Sequence, residues 1–361
     1  MGIKSDYNNI LIVELFPHCN FNCDFCFQNS DGRTDYFKDN RILHRKSKIY
    51  YLNLFLEKFK KYDLKDIDYA CLWGGELFFD KTPEYNDLLL NVIKTINPLQ
   101  KLGGTTNLSC IDNPALQSLL FDKYPFTLEM SASYDAVGRF KSKEAVETYL
   151  KNLEILKSSP NICNGIIEVE TVVTAEMLDD KYDFTIFNEL YKDPHIINCM
   201  LLDMRGYPDY ILKNFNERFL NFLKKYPKVD ISRNLLTFTG CLNDKELSIP
   251  DSTPFRWCYC FRENTTYLGY VTEFEKTNNA CSSCKRDDYK RVEEAFKCDE
   301  CKYKNICSDI CPGTVIHSKI IELNGCPYKY VYDNISELRH AYMKTMDKEE
   351  LKEMFLNKYS I

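Results

Sequence analysis

The sequence predicts an α/β fold, a partial (β/α)6 TIM-like barrel followed by a small cysteine-rich domain held together by metal. Three observations carry this. From Asn9 to about Gly206, short apolar strands alternate with longer amphipathic helices, the pattern of parallel strands joined by helical crossovers. Six such units in roughly 200 residues fall short of the ~250 of a closed eight-unit barrel, so the sheet is expected to stay open. The 17 cysteines are unevenly spread, with three between Cys19 and Cys26 and nine between Cys258 and Cys326.

The elements follow in order. Ile10 to Leu15 reads as a first strand, followed by a helix over Lys46 to Lys61. Ile67 to Trp73 is a second strand ending in Gly74-Gly75-Glu76. Thr82 as N-cap and Pro83 in the first turn start the next helix, with Leu88, Leu89, Val92, Ile93 and Ile96 along one stripe. A short third strand lies near Gly103 to Leu108 and a fourth over Phe126 to Tyr134. Ser142 is placed to cap a helix whose Val146, Tyr149, Leu150 and Leu153 face inward. Ile166 to Thr174 and Ile197 to Met204 supply strands five and six.

The barrel is expected over 1–206, a bridge with one helix near Tyr210 to Lys225 over 207–257, the cysteine-rich domain over 258–330 and a helical tail over 331–361. The cysteine-rich segment has too few aliphatic residues for its own core, so ligated metal must stabilise it. In the tail, Asp347 and Glu350 are spaced as a capping box.

Composition excludes several classes. A net charge of -6 argues against nucleic acid, which selects a clustered basic face. Lys58 to Lys61 reads as a solvated helix face. The N-terminus is polar and the run Ile10 to Val13 ends at Glu14, too short to target or span a membrane. Without an export signal the chain reads as cytoplasmic, and its cysteines as metal ligands rather than disulfides. Cys71, Cys110, Cys163, Cys199 and Cys241 are scattered and read as small buried hydrophobes.

The motifs give the chemistry. Three thiolates on one short loop can hold three corners of an iron-sulfur cube and leave the fourth iron open. Zinc, the competing ion, normally takes four ligands, often as two Cys-x2-Cys pairs. Cys19-x3-Cys23-x2-Cys26, with Phe25 just before the third cysteine, resembles the signature loop of the radical S-adenosylmethionine (radical SAM) enzymes. Gly74-Gly75-Glu76 matches that family's Gly-Gly-Glu motif, with Leu77 where proline is usual. The resemblance implies that Gly74, Gly75 and Glu76 receive the methionyl amino group of S-adenosylmethionine. It further implies that Ser133 and Asp135, in a Ser-x-Asp pattern followed by Ala136 instead of glycine, contact ribose or carboxylate. Arg205, after the sixth strand, is placed to pair with the methionyl carboxylate.

Cys298-x2-Cys301-x5-Cys307-x3-Cys311, followed by Cys326, resembles the SPASM extension of peptide- and protein-modifying members. That resemblance implies two auxiliary 4Fe-4S clusters beside the radical SAM cluster. One is held by Cys298, Cys301, Cys307 and Cys326; the other by Cys258, Cys260, Cys281 and Cys311, with Cys284 in reserve. A zinc ribbon on Cys281, Cys284, Cys298 and Cys301 leaves Cys307, Cys311 and Cys326 unused. His18, Asp287 and Asp288 are polar neighbours without an assigned role, and no catalytic base is named.

The resemblance implies a maturase that abstracts hydrogen from a ribosomally made peptide and forms a thioether, C-C or C-O crosslink or another oxidation. The electron donor expected is a flavodoxin or ferredoxin. Because the first strand begins near Asn9, there is no room in this sequence for an N-terminal leader-binding domain. Either a separate leader-binding protein or direct contact would recognise the peptide. The first alternative is a protein oxidase of the anaerobic sulfatase-maturating type. A rival from another class is a non-catalytic multi-cluster electron carrier or zinc-stabilised adaptor.

Overall fold

A computed structural model describes residues 9–21, 23, 25–26, 46–62, 64, 66–135, 139–140, 142–179, 184, 186–190, 193, 195–203, 206–227, 265–268, 276–277, 294, 297–303 and 319–348. Its strands are β1 (Ile10–Glu14), β2 (Tyr69–Trp73), β3 (Lys101–Thr106), β4 (Thr127–Ser133), β5 (Ile167–Val173), β6 (Ile196–Leu202), β7 (Thr265–Leu268) and β8 (Lys276–Thr277). They form one sheet in the order β6-β5-β4-β3-β2-β1-β7-β8. The pairs from β1 to β5 are parallel, as the predicted partial α/β barrel requires. The strand pattern of the sequence does not show the last two: β7 pairs in parallel with the free edge of β1, and β8 returns antiparallel beside it.

The chain divides into two compact units, one of Met1–Glu170 with Cys258–Asp288, the other of Thr171–Trp257 with Tyr289–Ile361. In the first, β1 is buried along its whole length, which explains its continuous apolar run. The helix α1 (Lys48–Phe59) starts at Ser47, whose side chain accepts from the Tyr50 N–H. The next, α2 (Pro83–Ile96), buries Leu89, Val92, Ile93 and Ile96, as its stripe predicts, whereas Leu88 is half-buried. Thr82 stands at the N-cap but makes no side-chain cap bond; its hydroxyl donates instead to Asp80 Oδ1 at 2.8 Å.

The helix α3 (Pro114–Phe121) fills the β3–β4 connection and is not among the predicted elements. Asn113 caps it by accepting from the Leu116 N–H at 3.0 Å, and Pro114 occupies the first turn. Ser142 caps α4 (Lys143–Lys157) as expected, and Tyr149 and Leu153 face the core with Asn152 and Leu156. Val146 and Leu150 are half-buried.

Burial alternates along β4 and β5. Leu128, Met130, Ala132, Ile167 and Val169 are buried on one face, while Glu129, Ser131, Ser133, Glu168 and Glu170 lie half-exposed on the other. This polar second face marks a barrel interior that is not packed shut.

The second unit contains α5 (Ile186–Leu190), α6 (Asp209–Leu212), α7 (Phe215–Lys225), α8 (Ile320–Asn324), α9 (Pro327–Asp333) and α10 (Ile335–Met343). The predicted helix over Tyr210 to Lys225 is two helices, interrupted at Lys213 and Asn214. Phe184, Phe187, Phe222 and Tyr226 form its aromatic core, and Tyr226 Oη accepts from the Phe184 N–H at 2.7 Å. Asn216 Nδ2 donates to Asn324 O at 2.7 Å and Asn324 Nδ2 to Leu212 O at 2.6 Å, tying α8 to α6 and α7. Among the described residues no helix is long and apolar enough to cross a membrane. The capping box ending at Glu350 lies outside the described residues.

Candidate active site

The site lies in the first unit, where chain leaves the C-terminal ends of β1 to β4. Beyond β1 the ladder continues, with Leu15 N–H donating to Trp73 O at 2.8 Å. Gly75 N–H then donates to Phe16 O and Glu76 N–H to His18 O, each at 2.8 Å. The residues entering the cysteine loop are therefore bonded to the Gly-Gly-Glu turn, backbone to backbone.

This explains the glycines physically. A Cβ on Gly74 would stand 2.8 Å from Phe16 O, and one on Gly75 only 1.9 Å from His18 O. The motif alone suggests that these glycines allow close approach of a ligand. The approach seen is that of the Phe16–His18 backbone, and it fixes where Cys19 begins.

Glu76 is 2% exposed, and its carboxylate accepts from Asn107 N–H at 2.6 Å, Thr106 Oγ1 at 2.9 Å and Phe78 N–H at 3.1 Å. Burial holds its carboxyl above the usual range, partly offset by those donors. Through Glu76 the end of β3 is locked to the end of β2. Asn107 continues the chain of contacts: its Nδ2 donates to Asn20 Oδ1 at 2.9 Å, and Asn20 Nδ2 to Ser109 Oγ at 2.7 Å.

Around the thiols, Cys19 Sγ accepts from Phe21 N–H at 3.4 Å, and a turn is closed by Cys26 N–H donating to Cys23 O at 3.0 Å. Cys23 is buried, Cys26 half-buried and Cys19 exposed. Desolvation by surrounding chain still pushes the Cys19 thiol up to about 11, with the Phe21 N–H pulling the other way. A bound metal would remove that proton outright.

The residue the sequence did not point to is Arg139. Its Nε donates to Cys23 Sγ at 3.4 Å, its Nη1 lies 3.1 Å from Asp135 Oδ2, and its guanidinium stands 5.5 Å from the Phe25 ring centre. Burial alone would make the cation easier to discharge, but Asp135 and the Cys23 thiol raise its pKa. Phe140 fixes the segment by packing on Tyr134 at 5.3 Å, Tyr149 at 4.9 Å and Phe21 at 6.3 Å. Asp135 thus reaches the cysteine loop through a cation, while Ser133 is half-buried as the last residue of β4.

The donor set fits an iron-sulfur cluster: three soft thiols within eight residues, with N–H groups directed at two of the sulfurs. Among the described residues no three His, Cys, Asp or Glu side chains converge closely enough to hold a single metal ion. A cubane makes a different demand, because each thiolate binds its own iron corner.

In the second unit, Cys298 and Cys301 share a short 3-10 turn, with Cys301 N–H donating to Cys298 O at 3.1 Å. Cys326 caps α9, its Sγ accepting from Lys329 N–H at 3.4 Å. Its thiol pKa is raised by burial and further by the charge of Cys301, so these two cysteines lie within electrostatic reach. Arg205, Cys258, Cys260, Cys281, Cys284, Cys307, Cys311, Asp287 and Asp288 lie outside the described residues. Of the scattered cysteines, Cys71 is buried and its thiol pushed up to about 12 by desolvation. Cys110 and Cys163, in the β3–α3 and α4–β5 connections, are only half-buried.

No protein-family model and no curated protein matches the sequence. Among solved structures the chain is similar to a hexahistidine-tagged anSMEcpe with bound AdoMet, at a TM-score of 0.50 and 14% identity, over 92% of this chain and 98% of that one. At that identity the likeness is one of fold, and the fold is the open α/β barrel whose strand ends carry the cysteine loop and the Gly-Gly-Glu turn.

Proposed function

We propose that this chain is a radical SAM enzyme with a C-terminal SPASM domain, acting as a maturase of a ribosomally made peptide. The observation that carries the reading is the pairing of the cysteine loop with Gly75 and Glu76 at the strand ends of a parallel barrel. When bound, the cluster and S-adenosylmethionine supply a 5'-deoxyadenosyl radical able to abstract hydrogen from an unactivated carbon.

The chain's residues hold and orient. Cys19, Cys23 and Cys26 ligate the first cluster. Gly74 to Glu76 present backbone to the methionyl amino group, and Ser133, Asp135 and Arg205 form the polar surround of S-adenosylmethionine. Cys298, Cys301, Cys307 and Cys326 hold one auxiliary cluster, and Cys258, Cys260, Cys281 and Cys311 the other. A separate leader-binding protein or direct contact with the peptide, a flavodoxin or ferredoxin donor and a cytoplasmic setting complete the proposal.

Oxidation of a protein side chain, in the manner of anaerobic sulfatase-maturating enzymes, is a second reading. It is supported by the fold likeness to anSMEcpe with AdoMet. Anaerobic co-expression with any short peptide encoded beside the gene separates the two. A mass loss of two hydrogens that depends on Cys19, Cys23 and Cys26 supports the peptide maturase. An unchanged peptide, with 5'-deoxyadenosine still formed, moves the assignment to another substrate. Bound zinc with almost no iron would overturn both readings in favour of an adaptor.

A further inference from the structure

We infer that Arg139 is a positioning residue for the iron-sulfur centre of the cysteine loop, donating to the ligating sulfur of Cys23 and shifting the centre's redox equilibrium toward its reduced form. The inference rests on the functional reading above. It stands on three contacts, one to Asp135 four residues back in the chain and two to the cysteine loop more than a hundred residues away.

The guanidinium side chain is 13% exposed and that of Asp135 is 3% exposed, so neither charge is spent on solvent. Asp135 neutralises the cation and engages Nη1 at 3.1 Å. With Asp135 beside Nη1, the Nε edge points at Cys23 Sγ, 3.4 Å away. Phe25, inside the Cys23–Cys26 turn, lies under the guanidinium at 5.5 Å. A salt bridge needed only to pin the chain after β4 would have no reason to direct its remaining edge at a thiol. The Tyr134, Phe140 and Tyr149 rings already pin that segment.

The physical effect follows from charge. Reduction adds one electron to the cluster and its thiolates. An N–H donor and a cation beside a ligating sulfur favour the more negative state, and hydrogen bonds to sulfur are among the levers that set such potentials. Losing a donor behind a metal ligand typically costs ten- to a hundredfold in metal affinity or activity.

The test is an EPR-monitored redox titration of anaerobically reconstituted full-length enzyme. The signal of the loop's centre is assigned by its loss in the Cys19→Ala, Cys23→Ala, Cys26→Ala variant. Arg139→Gln should lower the reduced-to-oxidised ratio at fixed potential about tenfold, equivalent to ~59 mV for a one-electron couple. Arg139→Lys, which keeps charge but loses the Nε fork, should fall between. Because Arg139→Gln removes the cation facing a buried Asp135, the paired Asp135→Asn, Arg139→Gln variant is measured too and should show the same shift with both charges gone. An unchanged potential in that folded, iron-loaded pair would overturn the inference while leaving the functional reading intact. Wild-type protein whose iron and signal do not depend on the three cysteines would overturn the functional reading itself.

Discussion

At the residue scale, the site depends on a few atoms that cannot move. Gly75 is the sharpest case: its missing Cβ is the only room for His18 O. Gly75→Ala should cost about 1–3 kcal/mol, at the upper end of that range because the clash is with backbone. It should also displace Cys19, read as a lower urea midpoint and loss of the loop's iron. Glu76 gives a pH signature. Burial raises its folded carboxyl pKa above the unfolded value, so its contribution to stability is present at low pH and is lost as pH climbs through the folded value. Glu76→Gln should flatten that decline. It should also cost about 1–3 kcal/mol at neutral pH, because an amide cannot accept from Asn107, Thr106 and Phe78 alike. Denaturation midpoints across pH would test both; a slope that survives in Glu76→Gln would assign it to another group. The three cysteines and Gly-Gly-Glu stood out in the sequence through a family resemblance, and the structure adds that the two segments meet backbone to backbone. Arg139 did not stand out, because it lies 116 residues from Cys23 in the chain and belongs to no motif.

At the element scale, the parallel strands were readable because each is a short apolar run bounded by turn signals, and their ends all fall within two residues of expectation, with β3 displaced as a whole. That strand starts at Lys101, earlier than its glycines suggested, and is over before Leu108 adopts a left-handed φ of 56°. Missed elements share a cause. At eight residues α3 is too short to show a clear period, and its only signal is the Asn113-Pro114 start. Threonine-rich and four residues long, β7 gains its place by pairing with β1 and not from its own pattern. Asn113 both caps α3 and donates to Asp80 O at 2.8 Å, behind the Gly-Gly-Glu turn. Asn113→Ala should cost about 1–2 kcal/mol, measured by chemical denaturation. A change near zero would mean that Pro114 and packing alone hold this helix.

At the scale of the whole molecule, the described cysteines comprise a loop at the barrel's strand ends in the first unit, Cys298, Cys301 and Cys326 in the second, and the scattered Cys71, Cys110 and Cys163. The functional reading expects roughly twelve irons per chain, four for each cubane. Removing the three loop cysteines should leave roughly eight, with the auxiliary optical absorption retained. The roles proposed for them rest on soft-donor chemistry and on a family resemblance, both of which a sequence displays. A substrate follows from the shape and charge of the barrel's open polar face, which depends on side chains from several strands at once and so is not written in any one segment.

In the proposed function, Cys19, Cys23 and Cys26, held against Gly75 and Glu76, form the S-adenosylmethionine-cleaving centre. The most direct measurement is 5'-deoxyadenosine release by anaerobically reconstituted, dithionite-reduced protein beside the Cys19→Ala, Cys23→Ala, Cys26→Ala variant. The account predicts turnover by the first and none by the second, with auxiliary iron preserved. Equal cleavage by both, or none by a fully iron-loaded wild type, would contradict it.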